Sequence, residues 1–279
     1  MELKITEKVK RGSPLAYKEN TICVYGPSGS GKTTQIVEYL KLSGKSCIYL
    51  DLDGNTAPLL EAGSEVLDKM NYVKLRNSLD SMHVAEFLAR AMDTPILNIC
   101  LRHGFMNCGV CKAAGDDILA LNFTEWRKYD LVVVDSVTIM VKAIILFSIK
   151  QAEAGGDKSP RDIWQRVSMV AQTMMHFLRE CHPNVIVISH PTDVRLPYEQ
   201  AVQKGNHPTR AGKELVDPYY LPCFGSVPFT KEAAKNLSAV IYVGDDGKII
   251  TNAKKPFFAN ARRKIQSTTV AGALQEILD

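Results

Sequence analysis

The stretch Gly26-Pro27-Ser28-Gly29-Ser30-Gly31-Lys32-Thr33 constrains this chain more than any other. It has the G-x-x-x-x-G-K-[ST] spacing of a phosphate-cradling P-loop. Apolar, β-branched Thr21-Ile22-Cys23-Val24-Tyr25 precedes it as a buried strand, and Thr34 to Leu42 follows with the pattern of a helix. Glycine lets the backbone curl around phosphate oxygens with its N–H groups unobstructed. The positive end of the next helix points at the same place. Gly26 to Thr34 is therefore a candidate nucleoside triphosphate cradle, with Lys32 on the β- and γ-phosphates and the Thr33 hydroxyl on Mg²⁺.

At 279 residues the chain has room for one large α/β domain or for a domain with an appendage. Its 46% hydrophobic and 23% charged content is ordinary for a soluble globular protein. A net charge of +4 is weak evidence for an anionic partner. No apolar run reaches the length of a transmembrane helix, so no membrane partner is expected. Met1-Glu2-Leu3-Lys4-Ile5 has no signal-peptide core. Seven cysteines without such a signal fit reduced thiols in a cytoplasmic setting.

Residues 1–20 read as a polar extension in which Leu3 and Ile5 could form a short edge strand. Gly44 closes the P-loop helix, as glycine commonly does. Ser46 to Leu52 is a second strand ending in Asp51-Leu52-Asp53-Gly54-Asn55. Strand residues two apart share a face, so Asp51 and Asp53 are expected to point together into the crevice at the strand end, where metal or water is handled. Asn71 to Arg76 reads as a third strand and Ser81 to Met92 as a helix. Residues 94–116 fit no regular α/β unit and read as an insertion. They carry Cys100-x2-His103-x4-Cys108-x2-Cys111, ligand types that zinc uses, often with a C-x2-C pair. The first pair, however, is Cys-x2-His, and Ile99 and Leu101 look like core positions. A zinc site and ordinary thiols both remain open.

Tyr129-Asp130-Leu131-Val132-Val133-Val134-Asp135-Ser136 is the second strong motif. An apolar run ending in Asp describes a central parallel strand, and this is the Walker B pattern, whose Asp135 holds Mg²⁺ together with Thr33. A helix from Val137 to Glu153 follows. Ser159-Pro160 opens another, with Ile163, Val167, Val170, Met174 and Phe177 as its core stripe. Val185-Ile186-Val187-Ile188-Ser189-His190 is a buried strand whose terminal His190 reads as a γ-phosphate sensor or as a structural residue. Residues 191–235 form a long loop region interrupted by Pro191, Pro197, Pro208, Pro218, Pro222 and Pro228. Ala239 to Val243 and Lys248 to Ile250 make a hairpin across Gly244-Asp245-Asp246-Gly247. A basic segment at 254–264 and a terminal helix from Ser267 to Leu278 complete the chain.

An Asn-Lys-x-Asp motif and a Leu-Ser-Gly-Gly-Gln signature are both missing, which argues against a GTPase and a transporter-type ATPase. The remaining pattern resembles the RecA-like ATPases, and in detail the phage-encoded RecA-like nucleotide-binding proteins of single-strand annealing recombination. Val24 to Thr33, Ile48 to Gly54, Tyr129 to Ser136, Val185 to His190 and the basic Ala259-Asn260-Ala261-Arg262 carry the resemblance. It implies an α/β fold, a mostly parallel central sheet flanked by helices with a C-terminal β-hairpin, spanning 21–265 with a tail at 266–279. It implies a Mg-dependent ATPase acting on single-stranded DNA, a homo-oligomer in ring or filament form, and a single-strand-binding protein as a further partner. A phage protein of this kind would work in the host cytoplasm. Asp53 falls where such proteins keep a water-activating Glu, and His190 where RecA has Gln. Segments 150–160 and 191–217 occupy the DNA-loop positions, with Lys158, Arg195, Lys204, Arg210 and Lys213 as candidate contacts. Arg262, with Arg263, resembles a residue reaching a neighbouring subunit's ATP. A P-loop kinase, or a scaffold with no nucleic-acid role, is the alternative.

Overall fold

Runs of β-branched residues buried on both faces make the centre of the molecule. The structure, a computed structural model, describes residues 20–77, 82–91, 94–155, 159–194, 219–224, 237–252, 259–262 and 264–279. In chain order β1 (Asn20–Tyr25), α1 (Lys32–Ser43), β2 (Cys47–Asp51), the one-turn helices α2 (Ala57–Leu60) and α3 (Ser64–Leu67), β3 (Met70–Lys74) and α4 (His83–Ala91) come first. Then follow β4 (Ile96–Cys100), α5 (Gly109–Ala114), β5 (Ile118–Asn122), β6 (Leu131–Asp135), α6 (Val137–Ala154), α7 (Pro160–Glu180) and β7 (Asn184–Ser189). The last elements are β8 (Pro191–Val194), β9 (Tyr219–Pro222), β10 (Ala239–Val243), β11 (Ile249–Ile250), β12 (Asn260–Ala261) and α8 (Val270–Leu278).

The main sheet has the order β11-β10-β1-β7-β6-β2-β3, and β12 also pairs with β10. β10, β1, β7, β6, β2 and β3 run parallel. Among the described residues of this sheet only β11 and β12 are antiparallel to their neighbour, β11 closing the C-terminal hairpin. Helices cover both faces. This is the helix-flanked, mostly parallel sheet of a RecA-like P-loop fold.

The alternation along each strand divides the interior in two. Ile22, Val24, Tyr49, Val133, Ile186, Ile188 and Ile241 pack with Ile36, Val37 and Leu40 of α1 and with Val270, Leu274 and Ile277 of α8. Cys23, Tyr25, Ile48, Leu50, Val132, Val134, Val185 and Val187 face the other way, against α4, α6 and α7. Burying each such side chain contributes roughly 1.5–3 kcal/mol. Helix ends follow from local chemistry: Gly44 closes α1 at φ 64°, its N–H donating to Leu40 O, and Thr269 caps α8 by accepting from Gly272 N–H.

One expectation from the sequence changes, that Leu101 is a core position. Residues 94–116, which fit no regular α/β unit, hold β4 and α5, and β4 forms with β5 an antiparallel ladder of their own beside the main sheet. Ile99 is buried within it, but Leu101 lies past the strand end and is 49% exposed. The proline-rich region after His190 also holds a short ladder, β8 with β9. Leu3 and Ile5 lie outside the described residues. Among those residues, no helix is long and apolar enough to cross a membrane.

Phe177 of α7 is 1% exposed and meets the ring edges of Phe87 at 5.8 Å and Trp126 at 6.1 Å between centroids. It joins α7 to α4 and to the turn before β6. Phe177→Ala should cost about 3–5 kcal/mol, read from the shift in denaturant midpoint. A loss below about 1 kcal/mol would mean that this aromatic layer is not part of the packed core.

Candidate nucleotide site

All the parallel strands end on one side of the sheet, and the P-loop leaves β1 there. Gly29 and Gly31 have φ of 81° and 78°, a region costly for a residue with a side chain. A Cβ at either would meet nothing within 4 Å, so their backbone faces open space of the kind a phosphate group requires. Gly26 is different: a Cβ there would lie 2.2 Å from Val243 O, so only glycine lets the loop pass the end of β10. Lys32 is 6% exposed and lies beneath the loop, its Nζ donating to Gly26 O at 2.8 Å and Pro27 O at 2.6 Å. Burial lowers its pKa, and the charges of Asp135 and Asp53 oppose that shift.

Asp135 ends β6. Its Oδ2 accepts from Thr33 Oγ1 at 2.9 Å and from Tyr49 OH at 2.6 Å. At 4% exposure, burial pushes its carboxyl pKa up. The two hydroxyls favour the carboxylate, while the charges of Asp53 and Asp51 add to the upward shift. Burial, with Asp135 beside it, also pushes the Tyr49 phenol well above its usual range, so Tyr49 remains a donor. Thr33 and Asp135 thus present a hydroxyl and a carboxylate oxygen to one point, an oxygen donor pair suited to Mg²⁺.

Asp51, which ends β2, and Asp53, just past it, do not point together. The strand stops at Asp51, and Leu52 turns into the core, with the N–H groups of Leu52 and Asp53 both donating to Asp135 O. Asp51 is buried in a polar cluster of its own. It pairs with Arg76 Nη2 at 2.7 Å, accepts from Tyr72 OH, and takes the Gly54 N–H at 2.7 Å. Asp53, past the bend, lines the open pocket with Lys32, Thr33, Asn55, Asp135 and His190. Its Oδ2 lies 3.6 Å from His190 Nε2.

His190 is the residue after β7, the strand inserted between β1 and β6. Its N–H donates to Thr138 Oγ1 at 2.9 Å, and its carbonyl accepts from Cys223 N–H at 3.0 Å. The chain then continues directly into β8. Lys32, Thr33, Asp53, Asp135 and His190, distant in sequence, therefore surround one pocket. Sequence reasoning missed Tyr49, Tyr72 and Arg76. The signal for Tyr49 was its position two residues before Asp51 on the same strand face, opposite Val133 and so one step along that face from Asp135.

Arg262 is not near this chain's P-loop. Its N–H donates to Ser238 O at the amino end of β10, whereas the P-loop passes Val243 at the opposite end. Lys158, Arg195, Lys204, Arg210, Lys213 and Arg263 lie outside the described residues. Cys100, His103, Cys108 and Cys111 cluster apart from the pocket, beside the edge strand β3.

A family model for the AAA domain matches residues 18–208. The chain belongs to the AAA domain family. It is thus a P-loop nucleotide-binding protein of the ATPase type, and Gly26 to Thr34 lies within the matched span. Among solved structures, the RadB recombinase is similar at 17% identity and a TM-score of 0.38, covering 80% of this chain and 73% of that one. No curated protein matches.

A buried carboxyl with a raised pKa destabilises the protein once it is ionised. The native state keeps its proton to higher pH than the unfolded chain, so stability falls as pH rises from the unfolded value, about 3.9. Asp135→Asn removes that cost and can still accept from Tyr49. In metal-free buffer the variant should melt higher than the parent at neutral pH, the gain shrinking toward about pH 4. Stabilisation of the parent by ATP with Mg²⁺ should be lost in the variant. A variant that melts lower at neutral pH without metal would contradict this account of the carboxylate.

Proposed function

We propose that this AAA domain protein binds ATP with Mg²⁺ and hydrolyses it in a cycle coupled to single-stranded DNA, in recombination or repair of the phage type. The observation that carries the reading is the meeting of Asp53 and His190 over the P-loop, 3.6 Å apart, with His190 one residue before the strand that leads into segment 195–218. A group sensing the terminal phosphate at that point can change the course of the following backbone.

The Mg²⁺ ion, held by Thr33 and Asp135, supplies charge neutralisation across the phosphates. Lys32 adds a fixed cation from beneath the loop. Asp53 is exposed enough to meet water and close enough to the phosphate side to orient it. It replaces a longer Glu of the RecA-like pattern, which favours slow turnover. His190 donates or withholds a hydrogen bond at the phosphate end and passes the difference to β8. Lys158, Arg195, Lys204, Arg210 and Lys213 are the proposed DNA cations. Arg262, with Arg263, is assigned to the ATP of a neighbouring subunit in a ring or filament. Its distance from this chain's own P-loop supports action in trans.

Asp53→Asn should lower turnover roughly a hundredfold, with nucleotide affinity changed less than about threefold. ATP hydrolysis by the parent should rise several-fold with single-stranded DNA, and DNA affinity should fall steeply with salt. DNA should bind more tightly with a non-hydrolysable ATP analogue than with ADP, and His190→Ala should erase that difference while ATP still binds. Hydrolysis indifferent to DNA but triggered by a small phosphoryl acceptor would replace this reading with that of a kinase. Tight ATP binding without turnover would make the protein a scaffold. For Arg262, protein lacking both arginines mixed with Lys32→Ala protein should regain activity. No recovery at any ratio, with assembly confirmed, would remove the trans role.

A further inference from the structure

The ladder of β4 and β5 has two unlike sides. Leu97, Ile99, Met106 and Leu121 join the main core. The other side holds a separate cluster of Cys100, Cys108 and Cys111, with Phe105 packed against it. Met106 anchors the middle of the loop to the main core and Phe105 stacks on His83 of α4, but the three thiols add little apolar packing of their own. All three cysteines are free thiols and are buried. His103 turns toward them, its Nδ1 lying 3.2 Å from Cys111 Sγ and 3.7 Å from Cys108 Sγ, and its ring stacks on Phe105. The four candidate ligand atoms lie within 4.8 Å of one another. Zinc with Zn–S near 2.3 Å and Zn–N near 2.0–2.1 Å has ligand–ligand edges of about 3.5–3.8 Å, so a small contraction closes the tetrahedron. Phe105 N–H already points at Cys100 Sγ, 3.5 Å away, a hydrogen bond that favours a thiolate.

The same loop grips the edge of the sheet. Arg76 N–H donates to Gly104 O at 2.9 Å, and Lys74 Nζ donates to Arg102 O at 3.0 Å. Gly104, at φ 72°, passes so close that a Cβ would lie 2.9 Å from Lys74 O. Arg76 in turn pairs with Asp51, which accepts the Gly54 N–H next to Asp53. We propose that Cys100, His103, Cys108 and Cys111 form a structural zinc site whose loop clamps the end of β3, and through Arg76 and Asp51 holds the turn that carries Asp53. Binding releases three thiol protons to solvent and uses neutral His103 at Nδ1; the four protein ligands leave no open position, so the ion takes no part in chemistry.

The site itself is tested on the full chain by metal analysis, without any assay of ATP. About one equivalent of zinc per chain is expected. A mercurial thiol reagent should release it, as read with a chromogenic chelator, and the Cys108→Ser/Cys111→Ser double variant should carry less than about a tenth of an equivalent. Iron in place of zinc, or less than a tenth of an equivalent in the parent, would overturn the assignment; the release assay on the parent decides it even if the variant does not fold. The clamp is tested by hydrogen exchange. After zinc release, peptides covering 50–56 and 74–77 should exchange about tenfold faster, while the P-loop peptide at 26–34 stays unchanged. Faster exchange confined to 96–114 would leave a zinc site but overturn the clamp. Neither readout depends on the protein being an ATPase.

Discussion

The hydrogen bond from Thr33 to Asp135 ties together the two ends of the site. Its partners stand 102 residues apart, one in the first turn of α1 and one at the end of β6, and β7 lies between β6 and the strand that leads to α1, β1. A carboxylate at 4% exposure is tolerable only with donors around it, and the Thr33 and Tyr49 hydroxyls supply them. The parallel register places these groups at one level, since Asp51 lies opposite Asp135 and Tyr25 opposite Ser189. The Asp135 backbone contributes too, its carbonyl accepting from both Leu52 and Asp53 N–H and so setting the bend after β2.

That bend gives two neighbouring acids unlike environments. Asp51 is enclosed by Arg76, Tyr72 and the Gly54 amide, and it organises the turn. Asp53 keeps a solvent-facing side chain beside His190. An ion pair with one buried partner, such as Asp51 with the partly exposed Arg76, contributes little net stability by itself, but removing Arg76 leaves Asp51 a buried, unpaired charge. The pair therefore holds a shape, that of the loop presenting Asp53. The Cys/His loop touches the same arginine from the outside through Gly104 O.

Insertion of β7 has a second effect. It brings a polar strand end into the pocket beside the P-loop, one that a sheet with β1 and β6 adjacent would lack. Ser189 is fully buried, with its hydroxyl accepting from Cys223 N–H, and Thr138 of α6 accepts from His190 N–H. The start of β8 is thus tied both to the pocket and to the helix after the Walker B strand.

Much of this architecture was legible in the chain. The P-loop spacing, the apolar runs ending at Asp135 and His190, and the helical stripe through Val167, Met174 and Phe177 are local patterns, and local patterns report burial and period directly. The Cys/His spacing was legible as a set of ligand types, but whether they converge depends on how the loop closes after β4. Tertiary structure alone decided that Asp51 and Asp53 separate, because the backbone leaves the strand when two amides find the Asp135 carbonyl. It also decided that Tyr49 and Arg76 serve the carboxylates, since hydrogen-bond partners across a parallel sheet are set by strand order. A strand's sequence states that it is buried; which strands flank it depends on the packing of the whole chain.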